Sequence, residues 1–232
     1  MTEHGDLLST AEASRQLGVG TRQVQRLVAT GAITQVGTIG RVKLLDARSV
    51  QRLKLQKTGR GRPWTQATIE LALELLSKGD THLGTTLERS RTRKRLVKIT
   101  AEGLVQAMRR RAAVQRYRAS ESFLDQVTAS VMLTGASAIE SNYELAQEFG
   151  LAMKASDSVD GYISEKGVRQ LIRSCHLVED ANGNVTLRET DMKVLLKGNF
   201  QSIIVALDLA ESLDARQRAA GLRFITKLLE EF

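Results

Sequence analysis

The sequence predicts an α+β chain, predominantly helical, with a small helical module ahead of a larger α+β domain. Three observations predict it. Helix-capping residues followed by apolar stripes of helical period recur between residues 9 and 118. Beyond residue 130, short apolar strands alternate with helices around turn signals such as Asn182-Gly183. The charge also changes sign: residues 1–118 hold 23 Lys/Arg against 9 Asp/Glu, and residues 119–232 hold 11 against 17. A basic front half calls for a polyanion, most simply nucleic acid, and an acidic back half does not.

Ser9 caps a first helix over 10–17. Glu12, three residues on, completes a capping box, and Leu8 can staple onto Ala13. Gly18-Val19-Gly20 turns the chain. Thr21 caps a second helix over 22–29 that stops at Gly31. Two short helices joined by a glycine turn form a helix-turn-helix. In the second, Val24, Leu27 and Val28 point inward and leave Arg22, Gln23, Gln25 and Arg26 outside. Arg can pair bidentately with guanine and Gln with adenine, and the early residues of a recognition helix reach base edges. The alternative use of such a module is protein contact. Residues 32–36 and 41–45 read as strands joined by a turn at 37–40, with Arg41 and Lys43 free to meet phosphate. Asp46 caps a helix over 47–57.

The stretches LLSTAEASRQLGVGTRQVQRLVATGAI and GTIGRVKLLD resemble the winged helix-turn-helix of the MerR and phage-excisionase group, over about a quarter of the chain. The resemblance implies a DNA-binding module at 1–57, with Thr21, Arg22, Gln23, Gln25, Arg26, Arg41 and Lys43 at the DNA.

Residues 58–64, TGRGRPW, hold the single proline of the chain. Arg60-Gly61-Arg62-Pro63 reads like an AT-hook, an arm for the minor groove of A·T-rich DNA. The competing reading, which we favour, is a basic linker whose Arg60 and Arg62 touch phosphate while Trp64 packs on the helix that follows. Residues 65–118 form a basic helical segment. Thr65 caps a helix over 66–77 with the stripe Ile69, Leu73, Leu76, and further helices cover 87–97 and 100–111. The clusters at 89–98 and 109–118 carry eleven basic residues, which fit a phosphate backbone, the acidic half of the chain or an acidic partner equally well.

Residues 119–232 read as a compact α+β domain. The expected elements are a helix over 122–127, a buried strand at 131–133, a helix ending near Gly150, a strand at 161–163 and a helix over 165–175. A hairpin of 177–179 with 184–188 through Asn182-Gly183 follows. SIIVALDL, at 202–209, is either a central strand or a buried helix. A final helix over 215–231, capped by Asp214, has the stripe Ala219, Leu222, Ile225, Leu228, Leu229.

No catalytic constellation stands out. The one cysteine, Cys175, excludes an internal disulfide or multi-cysteine zinc site and reads as a core residue beside an exposed His176. Phosphate-loop motifs are absent. TGASAIE, at 134–140, has the small residues of a nucleotidyltransferase loop without the Asp-x-Asp that would hold magnesium. Asp208, Glu211 and Asp214 suggest a carboxylate cluster, but read more simply as a helix cap and surface residues. We expect no enzyme, cofactor or metal; the least favoured function is a metal-dependent nucleic-acid enzyme. No apolar run approaches a membrane span, and the first residues lack the pattern of a signal peptide, so a cytoplasmic location is expected.

The segments GRPWTQATIELALELLS, ERSRTRKRL, RRRAAVQRYRAS, TGASAIE, GNVTLRET and VALDLAESLDARQRAAGLRFI resemble, in this order, actinobacterial regulators similar to AbiEi-type antitoxins of type IV toxin-antitoxin systems. The resemblance implies a repressor that binds double-stranded DNA at its own promoter through the N-terminal domain. Residues 119–232 would serve antitoxicity against a neighbouring nucleotidyltransferase-like toxin, and a homodimer on DNA is compatible with it. The alternative is an excisionase-like or replication accessory protein of a phage or plasmid.

Overall fold

The computed structural model describes residues 7–57, 62–154 and 156–232 and is an α+β structure dominated by helices. It divides into two compact units, Met1–Gly59 and Arg60–Phe232.

In the first unit, β1 (Leu7–Ser9) leads into α1 (Thr10–Leu17) and α2 (Thr21–Ala29), then into the hairpin β2 (Gln35–Ile39) and β3 (Val42–Asp46), and closes on α3 (Ala47–Lys57). The Ser9–Glu12 capping box is complete: the Ser9 hydroxyl accepts from Glu12 N–H, and the Glu12 carboxylate accepts from Ser9 N–H at 2.7 Å. Those bonds from Ser9 hold the exposed Glu12 carboxyl below its ordinary pKa. Ser9→Ala should cost the first unit about 1 kcal/mol, read as a lower thermal midpoint of that unit. Asp46 caps α3, accepting from Ser49 N–H at 2.8 Å. The core is Ala13, Val24, Ile33, Leu45 and Val50, flanked by Leu8, Leu17, Leu27 and Val28.

Two local expectations shift. The cap of α2 is Gly20, with Thr21 already the first helical residue, because the Gly20 carbonyl accepts the first bonds, from Gln23 and Val24. The hairpin also lies further along the chain than 32–36 and 41–45. Ile33 is drawn into the core before the strand begins, and Gly40 (φ 58°) allows a two-residue Gly40-Arg41 turn with Ile39 paired to Val42. A third strand, β1, which the sequence did not announce, pairs with β3 to give the order β1-β3-β2.

The second unit joins the basic segment and the acidic half in one body, so residue 118 is no boundary. Helices α4 (Gln66–Lys78), α5 (Thr86–Leu96) and α6 (Ala101–Ala107) precede β4 (Ala113–Arg118). Then come α7 (Leu124–Ser130), β5 (Met132–Leu133), α8 (Gly135–Ser141), α9 (Tyr143–Phe149), β6 (Val159–Ile163) and α10 (Glu165–Ser174). The chain ends with β7 (Val178–Glu179), β8 (Val185–Glu189), α11 (Lys193–Leu196), α12 (Gln201–Ala210) and α13 (Ala215–Glu230). The sheet runs β5-β6-β8-β4-β7, with β6 and β8 parallel and the other pairs antiparallel. One apolar cluster joins Val159, Ile163, Val185 and Leu187 of the sheet to Val127 of α7 and Val168 and Leu171 of α10. A larger one joins α4, α6, α8, α9, α12 and α13 around Tyr162. Trp64 packs against this larger cluster, and its main-chain N–H donates to the Ala107 carbonyl at 2.8 Å.

Of the two readings of SIIVALDL the buried helix is the one formed: it is α12, buried over residues 203–210 between neighbouring helices and the sheet, where Asp208 meets Tyr162 and Arg188. Several other expectations in this unit are corrected. The strand expected to be buried at 131–133 is the half-buried edge strand β5. The helix expected over 100–111 ends at Ala107 and passes into a 3-10 turn, Arg109–Arg111. The helix expected up to Gly150 breaks into α8 and α9 at Asn142, which caps α9 through Leu145 N–H. On α13 the expected stripe packs inward at Leu222, Ile225, Leu228 and Leu229, while Ala219 is exposed and Ala220 and Gly221 are buried in its place.

The Asn182-Gly183 hairpin does not form. β7 and β8 lie on opposite sides of β4, and residues 180–184 cross over its end. Arg116 O accepts from Asp180 N–H, and the Asn184 amide holds both the N–H and the carbonyl of Ala119. Pairing with β4 thus outcompetes pairing across the turn. The crossing is tight: a Cβ on Gly183 would lie 2.0 Å from the Tyr117 carbonyl oxygen. Gly183→Ala should destabilise the second unit by about 1–3 kcal/mol, seen as a lower urea midpoint, since main chain must move to admit the methyl.

Candidate nucleic-acid interface

The first unit builds a polar face from the periodicity of α2. Val24 is fully buried and Leu27 and Val28 pack beside it, which fixes the rotation of the helix. Arg22, Gln25 and Arg26 are therefore exposed, Gln23 is half-buried at the edge, and Thr21 stands exposed at the first position. The first turn of α2 carries no acidic residue. The turn before it is set by Gly18 in the left-handed region (φ 62°), whose N–H reaches the Ser14 and Arg15 carbonyls.

On the hairpin, Arg41 occupies the two-residue turn and Lys43 pairs with Thr38; both side chains are exposed. Ile39 and Val42 are also exposed beside them, at 68% and 49%. Of the remaining residues expected at DNA, Arg62 is exposed and belongs to the second unit, whereas Arg60 lies outside the described residues. The structure thus gathers Thr21, Arg22, Gln23, Gln25 and Arg26 on one helix, and Arg41 with Lys43 on one hairpin.

No protein-family model, curated protein or solved structure matches this chain. Its function has to be read from its own residues. Among the described residues no helix is long and apolar enough to cross a membrane, and no group of three or more His, Cys, Asp or Glu is placed to hold a metal.

The second unit contains a charge network that the sequence reading placed on the surface. Asp208 is fully buried. It accepts from Arg111 at 2.5 Å, Arg188 at 2.9 Å, Thr134 Oγ1 at 2.5 Å and the Tyr162 hydroxyl at 3.1 Å. Glu211 receives Arg111 at 2.7 Å and Arg188 at 3.3 Å, and Arg188 also binds Asp160 at 2.7 Å. Burial works against the Asp208 carboxylate, but the Arg188 and Arg111 guanidiniums and the Thr134 hydroxyl outweigh it and hold its pKa below the ordinary value. Burial likewise opposes the Arg111 cation, and Glu211, Tyr162 and Asp208 hold it well above its usual range.

Asp208 cannot take a metal without breaking these bonds, so the Asp208, Glu211, Asp214 grouping is no metal cluster. Asp214 is the N-cap of α13, accepting from Arg216 and Gln217 N–H. The available signal was Asp208 itself: a carboxylate inside an apolar run must find a cation when that run is buried. TGASAIE supplies Thr134 to the same network. Cys175 is buried and His176 exposed.

The basic clusters divide. Arg111 and Arg118 pair with Asp208 and Asp180 of the acidic half, and Arg116 donates to Thr186. On α5, Arg93 reaches Asp80 and Arg89 the Gly84 carbonyl, whereas Lys94 and Arg95, and Lys98 in the turn after the helix, face solvent.

Proposed function

We propose that this protein is a sequence-specific DNA-binding repressor of its own promoter, with the first unit acting as a winged helix-turn-helix. One observation carries this reading: α2 buries Val24, packs Leu27 and Val28 against the same core, and turns Arg22, Gln25 and Arg26 outward together. These are side chains that read guanine and adenine in the major groove, on a helix of the right exposure. Arg41 and Lys43 on the hairpin neutralise phosphates and set the register, as does Arg62 beyond it. The second unit supplies assembly or partner binding. Following the resemblance to AbiEi-type regulators, the protein is an autoregulating antitoxin, and its partner is a nucleotidyltransferase-like toxin.

The test is footprinting of the DNA upstream of its own gene, at near-physiological salt with excess competitor. The expected result is a discrete protected site. Uniform weak protection that competitor removes would reject sequence-specific reading.

A further inference from the structure

The triplet Arg109-Arg110-Arg111 is split by the fold. Arg111 turns into the protein to meet Asp208 and Glu211, and is 2% exposed at its side chain. Arg109 and Arg110 remain outside on the 3-10 turn. The bond from Trp64 N–H to the Ala107 carbonyl then fastens the start of the second unit beside this turn. Arg62 lies two residues before that bond and Arg109 two residues after it. On each side this is at most about 7 Å of extended chain. Two exposed arginines 47 apart in sequence are thereby tied into one region of the second unit by a single main-chain bond.

This patch differs from an ordinary solvated charge run. Among the described residues, no carboxylate lies within ion-pair distance of Arg62, Arg109 or Arg110. Asp208 and Glu211, the acids that meet Arg111, are also bound by Arg188. The patch is also continuous along the chain with the DNA-reading unit, because Arg62 is three residues beyond its end at Gly59.

We infer that Arg62, Arg109 and Arg110 form a second phosphate-binding surface, on the second unit, for the DNA backbone flanking the site read by α2. The inference rests on the DNA-binding reading of the first unit. It fixes the role of the linker arginine: Arg62 is one member of a three-guanidinium clamp held by Trp64, rather than part of a free minor-groove arm. A clamp on phosphate adds affinity and register without adding base preference.

The experiment is the salt dependence of binding to the footprinted DNA and to a scrambled duplex. It compares wild type, Arg109→Ala/Arg110→Ala, Arg62→Ala, and Lys94→Ala/Lys98→Ala as a charge-matched control at the end of α5 and in the turn after it. Each lost phosphate contact lowers the slope of log affinity against log salt by about 0.9, so the first variant should lose about 1.8 and the second about 0.9. Both should weaken specific and scrambled DNA by the same factor, with an unchanged urea midpoint, and the control should keep the wild-type slope.

An unchanged slope in the folded Arg109→Ala/Arg110→Ala protein would overturn the inference and assign the patch to an acidic protein partner or to solvent. An equal fall in the control would also overturn it, because the slope would then report net charge alone. If the double variant does not fold, Arg62→Ala decides the same question. Wild type that shows no preference for the footprinted site over the scrambled duplex removes the repressor reading itself, an outcome distinct from failure of the clamp.

Discussion

Arg22→Ala/Arg26→Ala is expected to lower affinity for the operator by roughly 30-fold to 10⁴-fold while leaving binding to scrambled DNA within about tenfold. Each good bidentate contact to a base contributes about 1–3 kcal/mol of discrimination, and about 1.4 kcal/mol is a factor of ten. Both side chains are exposed on α2 and neither supports the core, which rests on Val24, Leu27 and Val28. The variant should therefore keep the thermal midpoint of the first unit. Competitive titration against operator and scrambled duplexes measures both quantities. Equal losses on the two duplexes would mean that these arginines meet phosphate and that bases are read elsewhere. If the antitoxin reading holds, the same variant should lose repression in cells and still neutralise the toxin; loss of both in a folded protein would reject the division of labour between the units.

Asp208→Asn should have the largest effect on stability, about 3–5 kcal/mol lost from the second unit. The amide keeps the shape but removes the charge on which the Arg111 and Arg188 guanidiniums converge, in a site where Asp208 has no exposed side-chain surface. Asp214→Asn makes the matched control, because asparagine caps helices as well as aspartate does. It should change the urea midpoint little. A mild Asp208→Asn phenotype would show that Glu211 and Asp160 suffice for both arginines.

The pH dependence follows in sign. The folded Asp208 carboxyl has a depressed pKa, so its contribution is present above the unfolded value of about 3.9 and is lost as pH falls through the folded one. Acidification should weaken the wild-type second unit more steeply than the Asn variant, by urea unfolding at stepped pH.

Much of the first unit was legible because its signals are local. A capping box needs residues three apart, a helix stripe needs residues three and four apart, and both held for Ser9, Glu12 and the α2 face. The hairpin was misplaced by a few residues because the apolar pattern 32–36 does not distinguish a residue entering the core, Ile33, from the start of a strand. Strand β1 was missed because three residues carry too little pattern without the partner β3.

In the second unit the errors share one cause. Asn182-Gly183 predicts a turn, and a turn is there: Gly183 N–H donates to the Asp180 carbonyl. Which strands the turn joins is decided 65 residues away, by Ala119 holding Asn184 and by β4 offering a pairing edge on both sides.

The sequence alone determined the predominantly helical α+β class, the helix starts capped by Ser9, Asp46, Thr65 and Asp214, and the outward set Arg22, Gln25 and Arg26. Each of these follows from chemistry within one or two helical turns. Tertiary structure alone decided that SIIVALDL is a helix and that the basic segment and the acidic half are one body. It also decided that of Arg109, Arg110 and Arg111 a single guanidinium goes inside. Those outcomes depend on which surfaces cover an apolar run and where a buried carboxylate finds its cation. Both are set by contacts between residues far apart in the chain, where no local pattern records them.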